Sequence, residues 1–307
     1  MTAEQFQEIE RHGGCVNLSD RARFRLTGAD CVRYLNGQVT NDVRLANDRE
    51  TIYACVTDLK GRIVGDVFIH ATAPGAALLL DAEPPLREVL GPRLEKYLIA
   101  DDAELTDVTD EWQLWHVFGP AAPAVQPGAG SVLKSNRLGM EGVDIWLPAE
   151  ETPPVPSCPH VSAENFETLR ILRGIPRYPN ELNSDTFPPE AGLDDRAMSY
   201  TKGCYIGQEV LSRIRTTGRM PRELVRWEAV GADGQIAAGD ALLAPQDAGE
   251  PKAIGKVTSV AWHPMLERLV GLAYLKQGCR GADSELLVSS DTPNIAIKVK
   301  ISPDVKQ

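Results

Sequence analysis

Cys204 is the residue whose setting says most about chemistry. It stands in Lys202-Gly203-Cys204-Tyr205-Ile206-Gly207-Gln208-Glu209, where two glycines bracket a thiol and a phenol. Such a backbone can turn tightly around a side chain that stays reachable. A cation two residues away, and a helix opening at Gly207-Gln208-Glu209-Val210-Leu211, both favour the thiolate, the form that attacks or binds metal. The opposing reading is that of most unpaired cysteines, an inert small hydrophobe in a core, and residue chemistry alone does not choose between them. The remaining cysteines, at 15, 31, 55, 158 and 279, are scattered without the density of a disulfide scaffold, which fits a reducing cytoplasm. Neither Cys-x-x-Cys nor His-Glu-x-x-His occurs. Cys158-Pro159-His160 offers two ligand types without partners, so no self-contained zinc or iron–sulfur site is expected.

The elements around this motif set its position. Thr2 and Gln5 have capping-box spacing at the head of a short helix. Residues 15 to 26 read as a short strand pair, followed by a helix through Leu35 that Gly37 is placed to end. Three β-rich runs, 51 to 58, 62 to 70 and 76 to 81, form a meander with turns at Lys60-Gly61 and Pro74-Gly75. Pro84 to Leu98 has helical spacing, and strand-like runs follow at 104 to 108, 112 to 118 and 142 to 148, interrupted by a surface loop at 119 to 130. Ala163 to Arg173 is a further helix, and 175 to 201 a long Pro-rich connection of the kind that carries function. Beyond Pro221 six short β-rich runs, separated by Gly and Pro, signal a small antiparallel barrel or sandwich.

A chain of 307 residues exceeds the size of a single core. The expected fold is α+β, with one unit over residues 1–221 and a β-barrel over 222–307. A net charge of −11 disfavours general binding to nucleic acid or to an anionic membrane surface. No apolar run approaches the roughly 20 residues that cross a bilayer, and the acidic N-terminus is unlike a secretory or transit signal. A cytoplasmic protein is expected.

The octapeptide resembles the Lys-Gly-Cys-Tyr-x-Gly-Gln-Glu signature of the YgfZ family, folate-binding proteins related to the glycine-cleavage T-protein and including the mitochondrial Iba-type factors. Other segments are similar to the same superfamily in the same order: Leu26-Thr27-Gly28-Ala29-Asp30 with Leu35 to Val43, Thr57 to Asp66, Arg137 to Ile145, Thr168 to Pro176 and Phe187 to Leu193.

The resemblance implies a bilobed, T-protein-like folate domain over 1–221, with tetrahydrofolate or a derivative in its cleft and Cys204 near the rim. It places Asp144 against the pterin, whose amino group and ring N–H a carboxylate accepts as a pair; a solvated strand residue is the plain alternative. Asn41, Tyr205 and Gln208 join the candidate folate contacts, although capping is the commoner role for Asn41 and Asp42. Arg170 pairs either with a carboxylate of the folate tail or with Glu167, its i−3 neighbour. Glu190 has a structural role by the family pattern. In the related aminomethyltransferases an aspartate pair, one member catalytic, occupies the region where this chain has Gly65 and Asp66. Asp66 is therefore either a catalytic or folate-contacting group or a polar strand residue. Two functions follow: an accessory factor for iron–sulfur cluster assembly or repair, with Cys204 as thiol ligand or redox group and Lys202 as its activator, or a folate-dependent aminomethyltransferase or demethylase acting through Asp66. In the first, the partners are iron–sulfur assembly proteins or cluster enzymes, such as those that thiolate tRNA.

Overall fold

The structure is a computed structural model that describes all residues except 74–76, 126–129, 153–157, 231–234, 245–251, 280–284, 290–295 and 303–307. The expected turn at Pro74-Gly75 lies outside the described residues. Helix α1 (Ala3–His12) starts on the capping box between Thr2 and Gln5. Strands β1 (Gly14–Asn17) and β2 (Ala22–Thr27) are followed by helix α2 (Cys31–Gln38), strands β3 (Ile52–Thr57), β4 (Ile63–Ala73) and β5 (Ala77–Ala82), helix α3 (Arg87–Glu95), and strands β6 (Glu104–Asp107), β7 (Trp112–Phe118), β8 (Ser131–Lys134) and β9 (Gly142–Pro148). Helices α4 (Ala163–Leu172), α5 (Asp194–Ala197) and α6 (Gln208–Thr217) lead to strands β10 (Arg222–Ala229), β11 (Ala241–Ala244), β12 (Lys252–His263), β13 (Arg268–Lys276), β14 (Glu285–Ser289) and β15 (Ala296–Ser302).

The fold is α+β, as expected. A five-stranded sheet in the order β3-β4-β5-β2-β6 faces a four-stranded sheet, β1-β7-β9-β8, and the last six strands close into a barrel. Each sheet has its own apolar core. Helices α2 and α3 cover the first with Tyr34, Leu35, Leu90 and Leu94, while Trp146, Phe118 and Leu169 fill the second. Burying such side chains stabilises each layer by roughly 1.5–3 kcal/mol per residue.

The expected pairing of residues 15 to 26 is corrected. β1 pairs with β7 and β2 lies between β5 and β6, so the two run into different sheets. Local alternation marks a strand, but its partner is set by contacts distant in sequence. The helix expected over Pro84 to Leu98 is also shorter, a 3-10 turn over Pro84–Leu86 and then α3. β8 was not expected, since four residues are too few to show a period.

Candidate functional site

Between the two sheets lies a cavity of about 820 Å³, its open mouth included. Register fixes its chemistry. Tyr53 is opposite Phe68 and Cys55 opposite Asp66, so all four share one face of the β3–β4 ladder, and Tyr53, Asp66 and Phe68 reach the cavity wall. The Tyr53 and Phe68 rings lie 4.6 Å apart. Gly65 points the other way, where an added Cβ would meet Leu86 at 2.9 Å and Leu90 at 3.1 Å beneath α3. The missing member of the aspartate pair thus falls on an apolar core face, and Asp66 alone is presented to the cavity.

Asp66 is buried, and its Oδ2 accepts from the Tyr53 hydroxyl at 3.0 Å, while Oδ1 has no partner. Burial and the Glu83 carboxylate push its pKa up to about 6, against the opposing pull of Arg21 and the Tyr53 hydrogen bond. Arg21, also in the wall, has an unpartnered Nη2. Two residues of the wall thus keep a buried unpartnered acceptor and a buried unpartnered donor beside an aromatic pair. An unpartnered acceptor and donor of this kind can pair with a group that carries an N–H donor beside a carbonyl.

Along and behind the wall runs a ladder of charges, buried from Asp144 to Glu83 and partly exposed at Arg177 and Glu167. Arg137 forks between two carboxylates, Asp144 (2.8 Å from both Nε and Nη2) and Asp81 (2.7 and 3.0 Å), and lies 4.1 Å over the Phe68 ring. Arg21 donates to Asp81 at 2.5 Å and to Glu83, and Glu83 accepts from Arg177 at 2.6 Å. Arg177 in turn donates to Glu167 at 3.0 Å. Alternation of sign is what makes so much buried charge tolerable.

Two expected ligand contacts are corrected by this ladder. Asp144 is fully buried behind Arg137 and absent from the cavity wall, with its oxygens occupied by Arg137 and by Nδ1–H of His116 at 2.8 Å. Burial opposes its charge, but Arg137 and His116 outweigh that cost and hold its pKa well below the carboxylate range. Fully buried and outside the lining, it does not meet a ligand in the cavity. Arg170 does line the cavity, yet all five of its N–H groups are used, on Glu167 twice, the Ile175 carbonyl, Glu181 and the Ser259 hydroxyl. It fastens α4 to the barrel through Ser259 of β12, leaving nothing for a folate tail.

The octapeptide sits elsewhere. Lys202 is buried, and its ammonium donates to the carbonyls of Asn36, Val39 and Asn41 at 2.6, 2.8 and 2.6 Å. Burial pulls its pKa down to about 8. All three donors are committed to backbone in and just after the last turn of α2, which corrects the expectation that Lys202 activates Cys204; its work is to pin the loop. Ile206 N–H donates to Gly37 O and its carbonyl accepts from Thr57 at 2.6 Å. Gly207 is in the left-handed region (φ +86°), and a Cβ there would meet Asp58 O at 2.6 Å. Tyr205 is buried against Met198 and Leu211, beneath the Lys202 ammonium, and Gln208 opens α6. Tyr205, Gln208 and Cys204 do not line the cavity. Asn41 stands just behind its wall, its amide donating to Tyr53 O at 2.9 Å and Arg196 O at 3.4 Å. Among the six free cysteines Cys204 is the exposed one. Among the described residues no three His, Cys, Asp or Glu side chains gather to hold a metal.

Sequence reasoning missed Tyr53, Phe68, Arg21, Arg137 and Arg196 as cavity residues. Phe68 was accessible, two positions from Asp66 on an alternating strand. Arg21 gave no signal, because Asp81 and Glu83 are distant in sequence; Arg137 stands seven residues before its partner Asp144, a spacing that carries no period, and Arg196 is held by the Asn136 carbonyl and the Tyr53 ring.

A two-sheet α+β unit joined to a closed barrel, with a cavity between the sheets, is the architecture of the aminomethyltransferase class. Over 97% of this chain and 87% of the other it superposes with TM-score 0.81 on the crystal structure of the glycine cleavage system aminomethyltransferase T from Bartonella henselae, at 18% identity. Residues 1–130 match the GCVT N-terminal domain family. An aminomethyltransferase of Rubrobacter xylanophilus is 25% identical over 94% of this chain and 83% of that protein. A mitochondrial iron-sulfur cluster assembly factor IBA57 homolog of Pyricularia oryzae is 27% identical over 69% of this chain, a match spanning 56% of that protein's own length. Residues 1–130 thus resemble a GCVT N-terminal domain, and over two thirds or more of its length the chain is similar to aminomethyltransferases and to Iba-type factors.

Proposed function

We propose that this protein is a cytoplasmic tetrahydrofolate-binding accessory factor of the YgfZ type, acting in assembly or repair of iron–sulfur clusters and so supporting cluster enzymes such as those that thiolate tRNA. The observation that carries the reading is the exposure of Cys204 on a loop whose other anchors, Lys202 and Tyr205, are buried. A thiolate held there is a soft ligand that can engage iron and release it. The similarity to the IBA57 homolog supports the same role. In this reading residues 1–221 form the ligand-binding unit, with 222–307 a barrel unit fastened to it through Arg170. Asp66 and Arg21 hold the pterin edge, and Tyr53 and Phe68 stack on its ring. Tetrahydrofolate supplies one-carbon carrier chemistry when bound.

Calorimetric titration with tetrahydrofolate tests the ligand. Saturable binding is expected, weakened at least tenfold in Asp66→Ala; a wild-type protein that binds none would end the folate part of the proposal. The transferase alternative has one observation in its favour, a lone cavity carboxyl with a pKa of about 6, suited to acid–base work near neutrality. Incubation with tetrahydrofolate and an aminomethyl donor separates the two. The accessory reading expects no methylene-tetrahydrofolate, whereas formation that disappears in Asp66→Asn decides for the enzyme.

A further inference from the structure

None of residues 202–208 lines the cavity, yet cavity wall and octapeptide lean on one short segment, residues 39–41 after α2. Thr40 is fully buried; its N–H donates to Cys55 O, and its hydroxyl accepts from Cys55 N–H at 2.9 Å and donates to Ala197 O at 2.5 Å. The Asn41 amide donates to Tyr53 O and Arg196 O, on two residues of the cavity lining. The carbonyls of the same segment serve the octapeptide. Those of Val39 and Asn41 accept from Lys202, and that of Thr40 accepts from Ser199 N–H at 3.0 Å.

Cys204 hangs between two anchors. Lys202 is held by that segment, and Ile206 by Gly37 O at 3.1 Å and by the hydroxyl of Thr57, the last residue of β3. Gly203 and Cys204 are exposed, and a Cβ on Gly203 would meet nothing within 4 Å. The exposed pair is thus placed by its anchors and not by packing of its own. A second route starts at Tyr205, the residue after Cys204. Burial and the Cys55 thiol beside it push the Tyr205 phenol up to about 12, and Cys55 is opposite Asp66 in the β3–β4 register.

We infer that occupancy of the cavity controls the order of the Cys204 loop, mainly through Asn41 and Lys202 and secondarily through Cys55 and Tyr205. A ligand held against Tyr53 and Arg196 fixes the backbone that the Asn41 amide grips. Part of the entropy lost in ordering residues 39–41, and with them the seat of Lys202, is then already spent by the ligand. The relation is reciprocal, so a firmly seated loop tightens ligand binding by the same factor. Contiguous hydrogen bonds supply the physical connection, and an energetic readout shows that both sites bias it. The exposed thiol is presented in a fixed position when the cavity is filled and on a looser span when it is empty. The inference rests on the reading that places tetrahydrofolate in the cavity, and it makes that ligand a regulator of the thiol.

Amide hydrogen exchange of the full chain, with and without saturating tetrahydrofolate under anaerobic conditions, tests this. Exchange is expected to slow in β3 and β4 and, by about fivefold or more, at residues 202–208. Barrel strand β14 should not change, which separates a local effect from a general rise in stability. Asn41→Ala removes the amide and keeps the carbonyl that Lys202 uses. In that variant the slowing should persist in β3 and β4 and fall to less than half at 202–208. Slowing of β3 and β4 alone, or of β14 by the same factor as 202–208, overturns the inference and leaves tetrahydrofolate binding standing. Slowing in none of them overturns the ligand and the inference together. Full slowing at 202–208 in Asn41→Ala overturns the route through Asn41, and if that variant does not fold the wild-type comparison decides by itself.

Discussion

At the scale of single residues, Asp66 carries the clearest electrostatic signature. Its carboxyl has a pKa near 6 in the folded protein against an ordinary 3.8. Between those values the folded state keeps a proton that the unfolded chain has lost, so stability falls as pH rises through that window. Above pH 6 the full cost remains, at most about 3 kcal/mol. Asp66→Asn removes the charge and keeps the shape, so the variant should gain stability at pH 8 and lose the advantage towards pH 4. Urea midpoints at the two pH values decide it, and a variant no more stable than wild type at pH 8 would show that the carboxylate is already compensated. Lys202 shows the reverse lesson. Its proximity in sequence to Cys204 suggested activation, but a side chain two residues along a loop can point away from its neighbour, and here three carbonyls claim it.

At the scale of elements, the octapeptide is held by a close approach. Gly207→Ala brings a Cβ against Asp58 O in a left-handed backbone and should cost about 2–4 kcal/mol. Gly203→Ala meets nothing within 4 Å and should stay within about 0.5 kcal/mol. Chemical denaturation of both variants reads the difference, and equal midpoints would mean that the turn yields to the new methyl. Much of this was legible in the sequence. The capping box at Thr2, the meander, the barrel strands and the helix opening at Gly207 all leave local periodicity or turn chemistry in the chain. The separation of β1 from β2, and the pairing of Asp144 with His116, were not legible, because pairing across many residues leaves no local pattern; Arg137 is only seven residues from Asp144, but nothing local shows that the segment before β9 folds it back. The same limit hid Tyr53 in the cavity wall, since only the β3–β4 register sets it opposite Phe68.

At the scale of the whole molecule, charge ladder and barrel leave two separate places for chemistry. The cavity between the sheets presents Asp66, and the far end of α2 presents Cys204, joined through Asn41, whose amide braces the cavity wall and whose carbonyl receives Lys202. An aminomethyltransferase needs only the first place; an accessory factor for clusters needs the second. The measurement that separates them most directly is the activity of an iron–sulfur enzyme in cells carrying Cys204→Ala or Asp66→Asn as the sole copy, at matched protein levels. We predict loss with Cys204→Ala and retention of most activity with Asp66→Asn, whereas normal activity with Cys204→Ala and loss with Asp66→Asn would contradict the account.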